Sequence, residues 1–200
     1  MARQRDLQRE ATREHLFTTA LALFDEQGYD AVGIDDIVVK ARVARGTFYF
    51  HFPAKDDVLI ELIRRSDAHI VGKISKSAAV RRGKSLRTVL KATTDAFAEV
   101  WTDKRALLPH AGAVALRRIA AVEAARDQQP LRVELVKHVG TALEEGELAA
   151  RLPAQILADM FLLNVFAALM AWSAAATPPL PLPVILGGVI ELFLHGAAGA

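Results

Sequence analysis

Apolar side chains three and four residues apart recur along almost the whole chain, and no segment of useful length alternates with a period of two. Such stripes suit helices, because residues three and four apart share a helix face while strands need every second residue. Over residues 12–27 the stripe is Leu16, Phe17, Ala20, Leu21, Leu23 and Phe24, and Gly28 stands where a helix would end. Residues 34–41 read as a short second helix, with Gly33 as N-cap and Asp35 and Asp36 at the positive end of the helix dipole. Residues 45–50 read as a third, and Pro53 then breaks the chain. A longer helix from Lys55 carries Val58, Leu59, Leu62, Ile63, Ile70, Val71 and Ile74 on one face. The pattern lapses around Arg81, Arg82 and Gly83, which reads as a hinge or a solvated turn. It resumes over 85–101, 104–127 (interrupted near Pro109), 131–148, 154–176 and 183–196, with the proline-rich run 177–183 before the last. The expectation is an all-α chain of about nine helices. A three-helix head occupies 1–54 and a larger helical domain 55–200.

Composition narrows the function classes. Cysteine is absent, which excludes a disulfide scaffold, a thiol nucleophile and thiolate metal sites. Apolar residues make up 52% of the chain, too many for a disordered protein. The polar, charged start (1–13) is unlike a secretory signal, so a reducing, cytoplasmic setting is expected. The net charge of +2 permits a nucleic-acid contact without demanding one. Its excess lies in the first 82 residues, with 14 Lys and Arg against 12 Asp and Glu.

Catalysis is not expected. The pairs Asp35-Asp36, Asp56-Asp57 and Glu144-Glu145 are sequence neighbours, which on a helix do not share a face. The six histidines show no metal-ligand spacing. Gly187-Gly188 is not a phosphate loop, and no dinucleotide fingerprint or nucleophile elbow appears. Neither a cofactor nor a metal is therefore expected.

Two short helices joined by a tight turn and braced by a longer one fit a helix-turn-helix reader, in which one helix enters the major groove. Ile34, Ile37 and Val38 would brace, Val43 would fill the turn and Phe48 would face inward. That leaves Arg45, Thr47, Tyr49 and His51 to point outward. The residues Gly28-Tyr29-Asp30, Ile37, Ala41-Arg42-Val43-Ala44, the run from Arg45 through Gly46, Thr47, Phe48, Tyr49, Phe50 and His51 to Phe52, and Lys55 carry a specific motif. Over roughly residues 11–65 the chain resembles the DNA-binding head of tetracycline-repressor-like (TetR family) transcriptional regulators.

The resemblance implies a dimeric, ligand-responsive DNA binder, most often a repressor, with an effector pocket in the C-terminal domain and a four-helix dimer interface. It places Thr47 and Tyr49 at positions that touch bases or phosphate, with His51 at the end of the recognition helix. It puts Lys55 where relatives hold a phosphate, and Gly46 where a side chain would obstruct docking. Arg42 and Arg45 add charge beside the backbone. The chain departs from the family's usual Ser or Thr at Gly33, Gly at Arg42, Ser at Ala44, Ala at Val38 and Tyr at Phe50. These departures motivate an alternative reading, a small-molecule-binding or interaction module whose head has lost specific DNA binding. For Arg3, Arg5, Arg9 and Arg13 two readings stay open: an arm against phosphate or the minor groove, or a solvated, disordered tail.

After Arg151 only Asp159 and Glu191 are charged. The run 160–176 is 17 residues long, short of the ~20 that span a bilayer, and no membrane partner is expected. A homodimer fits better, because helices near 154–176 and 183–196 that face a core on one side and a partner on the other are apolar all round. Two heads would then meet a near-palindromic double-stranded operator, with half-sites one helical turn (~34–36 Å) or a multiple apart. A mostly apolar small-molecule effector would lie among Phe97, Trp101, His110, Met160, Asn164 and Phe166. Each of these also reads as plain core, the commoner role for such side chains. Asn164 stands out because a polar amide in an apolar helix needs a partner.

Overall fold

The computed structural model describes residues 2–76, 85–121, 129–149 and 151–198. The predicted turn at Arg81–Gly83 and the end of the predicted helix 104–127 lie outside them. The described residues form nine α-helices and one 3-10 turn, with no strand. They are α1 (Ala2–Gln27), α2 (Ile34–Ala41), α3 (Arg45–His51), α4 (Asp56–Lys76), α5 (Leu86–Trp101), α6 (Leu108–Ala121), α7 (Pro130–Glu144), α8 (Ala154–Ala174) and α9 (Leu182–Ala198). Two compact units divide within α4, one holding residues 1–63 and the other 64–200.

In the first unit α1 packs on α2 and α2 on α3. Its core holds Leu16, Phe24, Ile37, Phe48, Phe52 and Leu59, each all but shut off from solvent. α1 begins at Ala2, ten residues earlier than the helix predicted over 12–27. The N-terminal arginines thus ride on a helix and are not a disordered tail. Apolar periodicity marks only the part of a helix that packs, and it is silent over an exposed extension.

α2 ends in a Schellman cap. The Val43 N–H donates to Val38 O (3.1 Å) and the Arg42 N–H to Val39 O (3.2 Å). Arg42 stands in the left-handed region (φ 54°, ψ 45°), the conformation that normally favours glycine. At the other end of α2, Asp36 Oδ2 accepts the Gly33 N–H at 2.7 Å, one half of a capping box; with no hydroxyl at Gly33 the other half, a cap of the helix's own N–H groups, is not made. Ala44, the N-cap of α3, makes no side-chain bond.

In the second unit α8 is the central element, packing on α6, α7 and α9, while α5 packs on α7 and α9. α6 approaches α8 closely at Gly112, where an added Cβ would stand 2.6 Å from Met170 Sδ. Pro109 falls in the first turn of α6, where its missing N–H leaves no intrahelical bond unmade; it starts this helix instead of bending one. The N-terminus of α5 is held from far along the chain, since both Glu147 carboxylate oxygens accept the Leu86 N–H (2.6 and 2.8 Å).

Among the described residues one helix, α8, is long and apolar enough to cross a membrane by length and composition. The run 160–176 falls short of a span, but the helix that carries most of it starts at Ala154 and is 21 residues long. It includes Asp159, which is paired with Arg132 of α7 (2.6 Å, with a second bond at 3.1 Å). Its inner face, Leu157, Phe161, Val165, Leu169 and Trp172, is buried in the core of the unit.

Candidate nucleic-acid interface

The seven residues of α3 divide by face. Phe48 is fully buried and fixes the helix to the core. Arg45, Gly46, Tyr49 and Phe50 are exposed, Thr47 is half-buried, and Arg42 is exposed in the turn just before. A Cβ at Gly46 would meet nothing within 4 Å, so this glycine leaves the surface low without any packing need.

Arg45 is held in place on the surface. Its Nη1 donates to both Asp35 oxygens (2.6 and 2.8 Å), and its Nη2 donates to Tyr49 Oη (3.3 Å). The bond to Tyr49 and the Asp35 carboxylate both raise the guanidinium pKa above its ordinary value. Asp35 had only a helix-dipole role in the sequence reading. Its partner is ten residues away on another helix, and no local pattern signals the pair.

His51 was expected to point outward, but it is buried, 9% exposed. It closes the C-terminal end of α3 against the head, so its ring is not part of the exposed face. Burial lowers its pKa below the usual 6.5, and the positive charges of Arg13 and Arg9 lower it further. Its backbone carbonyl accepts from Arg13 Nη1 at 2.7 Å. Arg13 also donates to buried Glu61 (3.0 Å) and stacks over Phe52, with Cζ 4.6 Å from the ring centroid. It is therefore a clamp joining α1, α3 and α4, not a free arm residue. Arg9, one turn earlier, lies over the exposed Phe50 ring at 4.7 Å. Arg9 and His51 border a polar cleft with Asp6, Glu10, Arg13 and Phe50.

Lys55 precedes α4 and turns inward. Its Nζ donates to Tyr29 O (2.9 Å) and Val32 O (3.0 Å) and lies 4.1 Å from the Tyr29 ring centroid. Two of its three N–H groups thus hold the loop between α1 and α2, which leaves one for any outside acceptor. Tyr29 in turn donates to Asp56 Oδ1 at 2.5 Å, tying that loop to the start of α4.

The matches to known proteins fall on this head. The model of the family described as "Bacterial regulatory proteins, tetR family" matches residues 16–62, from the α1 core stripe into α4. The head of the chain is thus similar to the DNA-binding part of that family. The AcrR transcriptional regulator of Shigella flexneri is 36% identical over 70 residues, covering 35% of this chain and 33% of AcrR. The transposon Tn10 TetC protein of Escherichia coli is 40% identical over 67 residues, 32% of this chain and 34% of TetC. These matches cover about a third of the relatives' own length. The tetR-type fold extends further. Crystalline Thermus thermophilus FadR, a TetR-family repressor in complex with lauroyl-CoA, superposes with a TM-score of 0.71 at 22% identity, covering 92% of this chain and 94% of FadR.

In the second unit the candidate effector residues do not all fall together. Trp101 is buried in the core, while Phe97, His110 and Phe166 are half-buried. Phe166 lies beside Gly112, with its Cε2 3.3 Å from where a Cβ would stand. Met160 is 44% exposed on the outer stripe of α8, which corrects its placement in an internal pocket. The Asn164 amide donates to Met160 O at 2.8 Å, so a backbone group already serves as one partner. A groove on this unit is lined by Asp95, Ala98, Glu99, Thr102 and Pro183 and includes none of the six.

Proposed function

We propose that the chain is a homodimeric, sequence-specific DNA-binding regulator, most simply a repressor, released from a near-palindromic operator by a mostly apolar small molecule. The observation that carries this reading is the outer face of α3. Arg45, Tyr49 and the half-buried Thr47 line a low surface at Gly46, while Phe48 and the Arg13 clamp hold the helix from behind. A short helix braced in this way can enter a major groove with its polar side chains at base edges. Arg42 beside it supplies charge for a phosphate.

The dimer rests on a second apolar stripe. Ile156, Met160, Leu163, Ala167, Ala171 and Ala174 are spaced three and four apart along α8, and all are exposed. Val184, Gly188 and Leu192 form the matching row on α9. Leu163 and Leu192 are 63% and 65% exposed in the single chain, a wasteful arrangement unless another copy covers them. The same pairing accounts for α8 without a membrane and suits a protein of the cytoplasm. That FadR, of the same fold, holds lauroyl-CoA supports an effector with a long apolar part. Phe97, Trp101, His110, Asn164 and Phe166 remain its candidate contacts. The effector would act by population shift, stabilising a spacing of the two heads that misfits the half-sites. Continuous α4, which runs from one unit into the other, is the candidate lever.

In-vitro selection from random duplexes tests the reading. Enrichment of a near-palindrome is expected, with affinity falling steeply as salt rises, by a log–log slope of ~0.9 for each phosphate contacted. Weak binding without enrichment would favour a helical module without sequence readout.

A further inference from the structure

We propose that Asp35 is a positioning residue for base readout, and that the Arg45 it anchors selects a guanine in each half-site. The inference rests on the DNA-binding reading above. Arginine on a surface is ordinarily a floppy side chain, and fixing its rotamers costs conformational entropy. Here much of that ordering is present before any ligand arrives. Asp35 grips Nη1 with both oxygens, Tyr49 Oη accepts from Nη2, and the guanidinium carbon lies 5.8 Å from the Tyr49 ring centroid. The cation is fixed from two helices, α2 through Asp35 and α3 through Tyr49.

The donor inventory says what such an arginine can still recognise. A guanidinium carries five N–H groups. Nη1 is engaged by Asp35 and one Nη2 hydrogen by Tyr49. The Nε–H and the second Nη2 hydrogen have no partner among the described residues. With Tyr49 on the Nη2 hydrogen nearer Nη1, the Nε–H and the remaining Nη2 hydrogen share the opposite edge and form a two-donor fork. In the major groove, guanine presents two acceptors, O6 and N7, side by side; adenine offers N7 next to a donor, and the pyrimidines do not offer an adjacent acceptor pair. A phosphate would also accept from the fork. However, the Asp35 carboxylate beside Nη1 repels a phosphate and is indifferent to a neutral base edge. This second charge is what turns Arg45 from backbone contact to base reading.

The full chain and the selected duplex provide the test, with each half-site guanine replaced in turn by 7-deazaguanine, inosine or adenine. Inosine keeps O6 and N7, whereas 7-deazaguanine loses N7. At one guanine per half-site, adenine should weaken wild-type binding at least about tenfold, 7-deazaguanine should weaken it measurably, and inosine should not. Arg45→Ala should erase that preference. Asp35→Asn keeps Arg45 and removes a negative charge near DNA, so total affinity should hold or rise while discrimination at the same guanine collapses to a fewfold or less. A structural or purely electrostatic role would shift affinity on every duplex and leave the preference intact; that result overturns the proposal. So does a site on which Arg45→Ala changes no base preference. If no duplex is enriched at all, the DNA-binding reading fails and takes this inference with it.

Discussion

Arg42→Gly should make the head more stable while weakening its grip on DNA, two effects that separate cleanly. Arg42 is the only described non-glycine residue with positive φ. A Cβ in the left-handed conformation costs ~1–2 kcal/mol. Glycine removes that cost but widens the freedom of the unfolded chain, returning ~0.4–1 kcal/mol. The Arg42 side chain is exposed and makes no hydrogen bond among the described residues, so little else is lost. The net expectation is a gain of about 0.5–1 kcal/mol. The Schellman bonds of Arg42 and Val43 survive, since both are made by backbone atoms. Urea unfolding followed by circular dichroism should place Arg42→Gly above wild type. Arg42→Ala, which keeps a Cβ at the strained position, should fall at or below it. Both variants lose the same charge, so the salt slope of operator binding should become shallower by about one in each if Arg42 meets a phosphate. Equal stability of the glycine and alanine variants would refute the strain argument, whatever their DNA affinities.

Thr47→Ala and Tyr49→Ala should each lower operator affinity with helix content unchanged by circular dichroism, since neither side chain is core; unchanged binding by both would move the reading face elsewhere. Leu192→Glu or Leu163→Glu places a charge on an exposed apolar stripe and should give monomers in light scattering, whereas an intact dimer would assign the interface to another surface. His51 has a folded-state pKa lowered by burial and by the two arginines. The unfolded chain therefore takes up a proton near pH 6.5 that the folded head resists, and stability should decline as pH falls from about 6.5 towards the lower folded value, levelling off below it. In His51→Gln that component of the pH dependence should vanish, as read from urea midpoints between pH 5 and 8; a wild-type head that gains stability on acidification over that range would contradict the burial.

Most of the helical framework and the kind of head were written in the sequence. The stripes of α1, α4, α5 and α7 repeat every three to four residues, and that periodicity is a property of each segment alone. Gly28, read as the end of the first helix, marks a chain reversal locally because it takes positive φ. Residues 34–55 marked the head because brace, turn and recognition helix are contiguous in the chain. Even the near-continuous apolarity of α8 and α9, broken by charge only at Asp159 and Glu191, was visible in composition, and the proposed dimer would account for it.

Tertiary structure decided which polar atoms meet. Arg45 finds Asp35 across the angle between two short helices, and Arg13 reaches Glu61 over 48 positions of sequence. Glu147 holds the N-terminus of α5 from 61 residues away. Lys55 spends its ammonium on two carbonyls of a loop that precedes it by more than twenty residues. His51 follows the same rule: its place at the end of α3 was legible, its burial was not. Apolar packing is non-directional and leaves its trace in spacing along one helix. A charged or hydrogen-bonding group at the end of a long side chain is satisfied by whatever the crossing of two helices brings within 3 Å, and one helix read by itself does not contain that crossing.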